Sequence, residues 1–209
     1  NRGSIPRGGN KYPMILPKEI RDTLDKLESA GFEAYAVGGC VCDLLLGKKP
    51  KDWDITTDAD PEEVQKIFPE SFYENKFGTV GVKTESEDES LKVIEITTYR
   101  IESKYSDKRH PDEVRFASKI DEDLKRRDFT INALAMNKDG ELMDLFGGRE
   151  DLKNRLIRAV GEPEERFDED ALRLLRAVRF AVELDFELEE KTLKAIEEKS
   201  GLIKMIAEE

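Results

Sequence analysis

An α+β fold, with a small mixed sheet flanked by helices and an all-α segment after it, is predicted by three features of the 209-residue sequence. Between residues 33 and 57 a short apolar run meets Gly38-Gly39, then a helix-forming stretch, then a second β-rich run, which reads as strand, glycine turn, helix, strand. Two more β-rich runs follow at 79–83 and 92–100. From Pro163 onward the apolar residues recur at helical spacing.

Each element has its own local cause. Residues 16–30 place Ile20, Leu24 and Leu27 on one helical face, with Gly31 as a stop. Residues 33–37 form the first strand, 41–46 a helix ending at Gly47, and 53–57 the second strand. Asp60 is an N-cap for a helix over 61–67. Residues 101–115 carry Pro111, charges of both signs and no period, so a loop is expected there. The stretch 128–136 turns apolar again, 141–145 reads as a strand, and Gly147-Gly148 marks a turn. Helices are expected from 163 to about 182 and from 188 to 199. The division that follows is a Gly-, Arg- and Pro-rich leader or tag over 1–10, a sheet-containing domain over 11–148 and a helical domain over 149–209. Residues 201–209 read as helix with no glycine or proline stop, so the helical part is expected to continue past Glu209.

Composition narrows the class. Charged residues make up 39% and hydrophobic ones 38%, and no apolar run nears the roughly 18–20 residues that span a bilayer, so a membrane partner is not expected. No signal peptide is legible, which points to the cytoplasm. A net charge of −12 is unfavourable for nucleic-acid binding, which rests on Lys and Arg against phosphate. A nucleic-acid partner would therefore require a basic cleft on an acidic body, or further basic chain beyond Glu209. Cys40, Cys42 and the lone His110 cannot complete a tetrahedral zinc site.

Lys51-Asp52-Trp53-Asp54-Ile55 is the most informative stretch. On a strand, residues i and i+2 share a face, so Asp52 and Asp54 present both carboxylates to one spot while Trp53 turns toward the core. Such a pair suits hard Mg²⁺, which neutralises a triphosphate and activates an attacking hydroxyl. Glu95, on the run 92–100, is a candidate third carboxylate. Gly38 and Gly39 let backbone N–H groups approach phosphate, with a helix N-terminus behind them. The expected catalytic residues are thus Asp52, Asp54 and Glu95, with Asp52 and Asp54 as metal ligands.

Taken with Gly38-Gly39-Cys40-Val41-Cys42-Asp43, these residues resemble motif A of the class II tRNA nucleotidyltransferases, the CCA-adding group of the polymerase-β superfamily. Arg126-Arg127-Asp128-Phe129-Thr130-Ile131-Asn132-Ala133 is similar to the family's nucleotide-contacting segment, which implies sugar and phosphate contacts from Arg127, Asp128 and Asn132. Asp144-Leu145-Phe146-Gly147-Gly148 resembles the hinge between the family's head and neck. Residues 169–180 match its E-D-x-x-R segment, where a protein template selects CTP and ATP. Asp170, Arg173, Arg176 and Arg179 recur every third residue, and Asp170 with Arg173 offers acceptors and a planar fork able to pair with a base edge. Arg176 and Arg179 would lie near the triphosphate or support that pair.

The resemblance implies a nucleotidyltransferase head and neck, with the tRNA-binding body absent, that transfers CMP and AMP from CTP and ATP to the 3′ end of tRNA with Mg²⁺. Residues 99–114 resemble the loop used in switching from C to A addition, which points to CCA or A addition. Phe77-Gly78-Thr79-Val80 resembles a segment shared with bacterial poly(A) polymerases, the nearest alternative. A non-catalytic nucleotide- or RNA-binding fragment is a second one. Cys42 stands where the family usually has arginine, and a missing phosphate-facing cation would weaken nucleotide binding about ten- to a hundredfold, so Cys42→Arg is expected to tighten it. His110 is read as solvent-exposed.

Overall fold

The computed structural model describes residues 15–75, 78–103 and 113–205. Helix α1 (Lys18–Ser29) leads into β1 (Ala34–Val37), the short α2 (Gly39–Leu45) and β2 (Asp54–Thr57). Next come α3 (Pro61–Ile67), β3 (Ser71–Asn75), β4 (Thr79–Lys83), β5 (Val93–Thr98), β6 (Arg100–Ser103) and β7 (Glu113–Phe116). After α4 (Ile120–Lys125), β8 (Leu134–Met136) and β9 (Leu142–Asp144), the chain continues through α5 (Gly148–Asn154), β10 (Leu156–Ile157), α6 (Pro163–Glu169), α7 (Leu172–Leu184), β11 (Glu187–Leu188) and α8 (Glu190–Lys199).

Among the described residues the main sheet runs β3-β4-β5-β2-β1-β8-β9. Its neighbours are antiparallel except β2 and β5, which are parallel and in register from Asp54↔Glu95 to Thr57↔Thr98. The expected α+β class with a mixed sheet is what is found. Ile20, Leu24 and Leu27 of α1 are all 0% exposed and pack with Ile55, Ile94 and Ile96 of the central strands. Removing such side chains from water, at roughly 25 cal/mol per Å² of apolar surface, is what holds helix to sheet. The Asp60 cap is present in full: its side chain accepts from the Glu63 amide and the Glu63 carboxylate accepts from the Asp60 amide, a reciprocal capping box.

Three sequence expectations change. Residues 101–103 and 113–115, placed in a loop by their polarity, belong to the antiparallel ribbon β6–β7, which pairs 100–103 with 113–116. The rest of that expected loop, with His110, lies outside the described residues, as do the 1–10 leader and Phe77. The helix expected over 163–182 is two helices, because Asp170 leaves helical geometry at φ −136°, ψ 106°. The helical domain also holds one short parallel strand pair, β10 with β11.

The two parts meet at a tight joint. Backbone bonds run from the Thr130 amide to the Arg158 carbonyl and from the Val160 amide to the Asp128 carbonyl. Gly148 opens α5 so close to Thr130 that a Cβ there would lie 2.1 Å from the Thr130 carbonyl oxygen. The adjacent Gly147 has φ +78°. The Asp151 carboxylate accepts from the Thr130 hydroxyl and from Arg158 Nε across the joint. Phe129, fully buried, meets Phe180 of α7 edge-on at 5.9 Å between ring centroids.

Candidate active site

The turn between β1 and α2 begins at Gly38, with φ +80° and ψ −131°, a conformation essentially reserved for glycine. A Cβ at this position would stand 3.2 Å from Arg127 Nη1 and 3.9 Å from Asp54 Oδ2 and from the Asn132 carbonyl oxygen. The glycine turn, the strand carboxylate and the 126–133 segment, distant in sequence, therefore converge. Gly39 is the first residue of α2.

Asp54 opens β2 and is directly opposite Glu95 on the parallel neighbour β5, so the two side chains share a face. The Glu95 amide donates to the Trp53 carbonyl at 3.0 Å, which fixes the register. Trp53 is 2% exposed and packs in the core on the other side, as the alternation required. Asp52 lies one bend before the strand and is exposed. Among the described residues no three His, Cys, Asp or Glu side chains are already drawn together as a metal cage. The donor set is nonetheless of the right kind: hard carboxylate oxygens from the register partners Asp54 and Glu95, with Asp52 two positions upstream, suit a divalent metal ion.

Asp128 is buried, and its carboxylate accepts from the Phe129 amide at 2.9 Å, from Asn132 Nδ2 at 3.4 Å and from Arg176 Nε at 2.6 Å. Arg176 thus reaches from α7 into the sheet-bearing part, while its guanidinium lies 5.2 Å from the Phe180 ring centroid. Arg173 is 6% exposed and already engaged: Nη1 donates to Glu169 at 2.8 Å and to the Arg166 carbonyl at 3.3 Å, and Nη2 to the Arg126 carbonyl at 3.1 Å. Its Nε is 4.0 Å from Asp170 Oδ2. Asp170 accepts from the Leu172 amide at 2.9 Å, and burial raises its carboxyl above the ordinary range. Because Asp170 precedes α7, the expected single-helix stripe is instead a helix joint carrying the acid, followed by arginines on the next helix. Arg179 stands apart, over the Phe180 ring at 4.9 Å and 3.9 Å from Glu183.

Cys42 corrects one expectation. It is 4% exposed within the apolar cluster, and burial, helped by nearby Asp43, pushes its thiol up to about 12. The residue at this position packs into the core instead of facing a phosphate, so replacing it with arginine would disturb packing before it could add a cleft cation. Asp123, which sequence reasoning passed over, is fully buried beneath Arg126 and Arg127. Its only sequence signal is its placement three and four residues before two arginines.

This sheet order, with a glycine turn beside strand carboxylates, defines a nucleotidyltransferase head of the polymerase-β type. The chain belongs to the poly A polymerase head domain family, whose profile matches residues 34–158. It is 54% identical over 201 residues to the CCA-adding enzyme of Lactobacillus helveticus, covering 96% of this chain and 49% of that protein. With the CCA-adding enzyme of Lactobacillus delbrueckii subsp. bulgaricus it shares 56% identity over 187 residues, 89% of this chain and 46% of the relative. The chain thus spans about half the length of the curated relatives it matches. Among solved structures, the Bacillus stearothermophilus CCA-adding enzyme in complex with CTP superposes with a TM-score of 0.81 at 44% identity, over 91% of this chain and 45% of the other. A tRNA nucleotidyltransferase complexed with a primer tRNA and an incoming ATP analog gives 0.72 at 35% identity, over 87% and 51%. Among the described residues no helix is long and apolar enough to cross a membrane.

Proposed function

We propose that this chain carries the nucleotide site of an enzyme that transfers CMP and AMP from CTP and ATP to the 3′ end of tRNA. The observation that carries the reading is the in-register pairing of Asp54 with Glu95 beside the Gly38 turn and the Arg127 guanidinium. The names of the relatives support it.

In this reading Asp52 and Asp54 hold the metal, with Glu95 as the third carboxylate. When bound, Mg²⁺ neutralises triphosphate charge and lowers the pKa of the attacking 3′-hydroxyl. Gly39, with no atom within 4 Å of where a Cβ would stand, would admit the triphosphate against the backbone at the start of α2, while the Gly38 amide already donates to the Leu134 carbonyl and its turn brings Arg127 alongside. Arg127 and Asn132 contact phosphate and sugar beside that turn, and Arg127 Nε, buried and without an acceptor among the described residues, is a donor suited to a phosphate oxygen. Asp128 holds Arg176 and so orients the neck helix over the head. Asp170 and Arg173 would read a base edge once Arg173 exchanges its present bonds to Glu169 and the Arg166 and Arg126 carbonyls for that base, with Arg176 supporting them and Arg179 further along α7. Roughly ten- to a hundredfold selectivity follows if a wrong base leaves one buried charged donor unpaired. A cytoplasmic location agrees with tRNA as the substrate.

The test is incorporation of labelled nucleotide into tRNA lacking its 3′ CCA, with Mg²⁺ and with CTP, ATP or both, for the wild type and for Asp52→Ala and Asp54→Ala. Equilibrium binding of CTP and ATP to the same proteins reads the nucleotide site without needing tRNA. Added C, C and A, lost by at least about a hundredfold in the variants, is expected. Equal rates with and without the carboxylates would exclude catalysis by this site, and a long A-only tract would assign a poly(A) polymerase instead.

A further inference from the structure

Asp123 is the most completely enclosed carboxylate of the described structure that the proposed mechanism leaves without a task. Its side chain is 0% exposed, and all its accepting capacity is used. Oδ1 accepts from Arg126 Nε at 2.9 Å, from Arg126 Nη2 at 2.7 Å and from the Arg100 amide at 3.4 Å. Oδ2 accepts from Arg127 Nη2 at 3.1 Å and from the Thr56 hydroxyl at 3.4 Å. A buried charge is tolerated only when paired and bonded in this way, and removing one partner exposes the other to the full desolvation cost.

The two Oδ2 contacts connect separate parts of the site. Thr56 is two residues beyond Asp54 on β2, on the same face, so Asp123 touches the carboxylate strand. Arg127 gives Nη2 to Asp123 and leaves Nη1 beside the Gly38 turn and Nε without an acceptor among the described residues. With one end of its planar fork fastened from below, the guanidinium cannot turn its other donors away from the turn.

We infer that Asp123 is a positioning residue that anchors Arg127 against β2 and so aims the free edge of its guanidinium at the triphosphate on the Gly38 turn. The inference rests on the proposed function in that it takes the ligand to be a nucleoside triphosphate. The anchoring itself does not depend on the ligand.

Two measurements on the full chain separate these points. The first is nitrogen-15 NMR of arginine side chains, with Arg127 Nε–Hε assigned through Arg127→Lys. In the wild type this group should be rigid, with slow rotation about Nε–Cζ. In Asp123→Asn, which keeps the shape and one acceptor oxygen, it should become averaged, and Asp123→Glu, which keeps the charge, should restore part of the rigidity. The second is a double-mutant cycle on CTP and ATP binding. Asp123→Asn should weaken binding about tenfold or more in the wild-type background, and by less than about twofold once Arg127 is alanine. Unchanged Arg127 dynamics in Asp123→Asn, or fully additive losses in the cycle, would overturn the inference. If the wild type binds neither triphosphate, the proposed function falls, while the NMR comparison still decides whether Asp123 holds Arg127. Should Asp123→Asn fail to fold, the same two readouts on Asp123→Glu decide, with a displaced Arg127 and weakened binding as the expected result.

Discussion

Gly148→Ala and Gly147→Ala make a pair in which local backbone rules and tertiary packing predict opposite orders. Gly148 is the first residue of α5, in ordinary helical geometry, where alanine is intrinsically preferred over glycine by up to about 1 kcal/mol. Gly147 has φ +78°, where a Cβ costs about 1–2 kcal/mol, partly offset by about 0.4–1 kcal/mol from a stiffer unfolded chain. Local rules alone therefore make Gly147→Ala the worse change. The structure reverses this. At Gly147 an added Cβ would meet only Arg158 Nη2, at 3.1 Å, which is bonded to the Phe146 carbonyl and the Asp151 carboxylate but needs to give by only a few tenths of an ångström, whereas at Gly148 it would lie 2.1 Å from the Thr130 carbonyl oxygen and 2.7 Å from its carbon. Relieving that needs a shift of more than about 1 Å in backbone that the Asp151 carboxylate and the bonds to residues 158 and 160 hold in place, which belongs at the upper end of the roughly 1–3 kcal/mol typical of overpacking. At about 2–4 °C per kcal/mol for a chain of this size, Gly148→Ala should lower Tm by about 6–12 °C and Gly147→Ala by less than about 6 °C. Scanning calorimetry of the two variants checks it. A Gly147→Ala protein that melts at or below Gly148→Ala would show that the joint is looser than its contacts indicate.

Gly38→Ala should cost about 1–3 kcal/mol in backbone strain and also push Arg127 off the turn, so CTP binding should weaken along with Tm; unchanged binding would remove Gly38 from the site. Burial would raise the Asp123 carboxyl, but Arg127 and Arg126 hold it down at about 2. Its folded pKa lies below the unfolded value near 3.9, so its stabilisation, about 2 kcal/mol, is complete above pH ~4 and is lost as pH falls toward 2. Urea unfolding between pH 2 and 5 should therefore show a shallower acid slope for Asp123→Asn than for the wild type, and equal slopes would contradict this. The Cys40 and Cys42 thiols, both pushed up to about 12 by burial, should resist a thiol reagent at pH 8 in the folded protein and react on unfolding, whereas rapid native labelling of either would refute their enclosure.

Where cause was local, the sequence could be read directly. The Asp60 cap, the glycine turn and the burial of Trp53 against the exposed Asp52 all follow from spacing over a few residues, whereas the shared strand face expected for Asp52 and Asp54 presumed a strand that begins only at Asp54, with Asp52 in the bend before it. The β6–β7 ribbon was hidden because its strands are polar and its pairing is decided by the partner, not by composition. Helix α4 escaped notice because Lys119 supplies no side-chain cap and its six residues are too few to show a period. The break at Asp170 was masked by a helical pattern that continues on both sides of it. Asp123 lies in the acidic run Asp121-Glu122-Asp123, and nothing in that run marks which carboxylate turns inward. Its burial comes from β2 and β6, which reach it from 67 and 23 residues away.

The parallel junction of β2 with β5 has a bearing on how the molecule is made. Two side-by-side parallel strands cannot be joined by a tight turn, and here the excursion between them contains α3 and the antiparallel pair β3–β4. Asp54 and Glu95 therefore become neighbours only after that whole detour has been laid down and closed. Non-local closures of this sort are slow steps in folding, since chain entropy is lost before any contact is gained. A collapsed chain with every helix in place but this seam still open would have a hydrophobic interior and no opposed carboxylates, so the proposed triphosphate site should be among the last features to form.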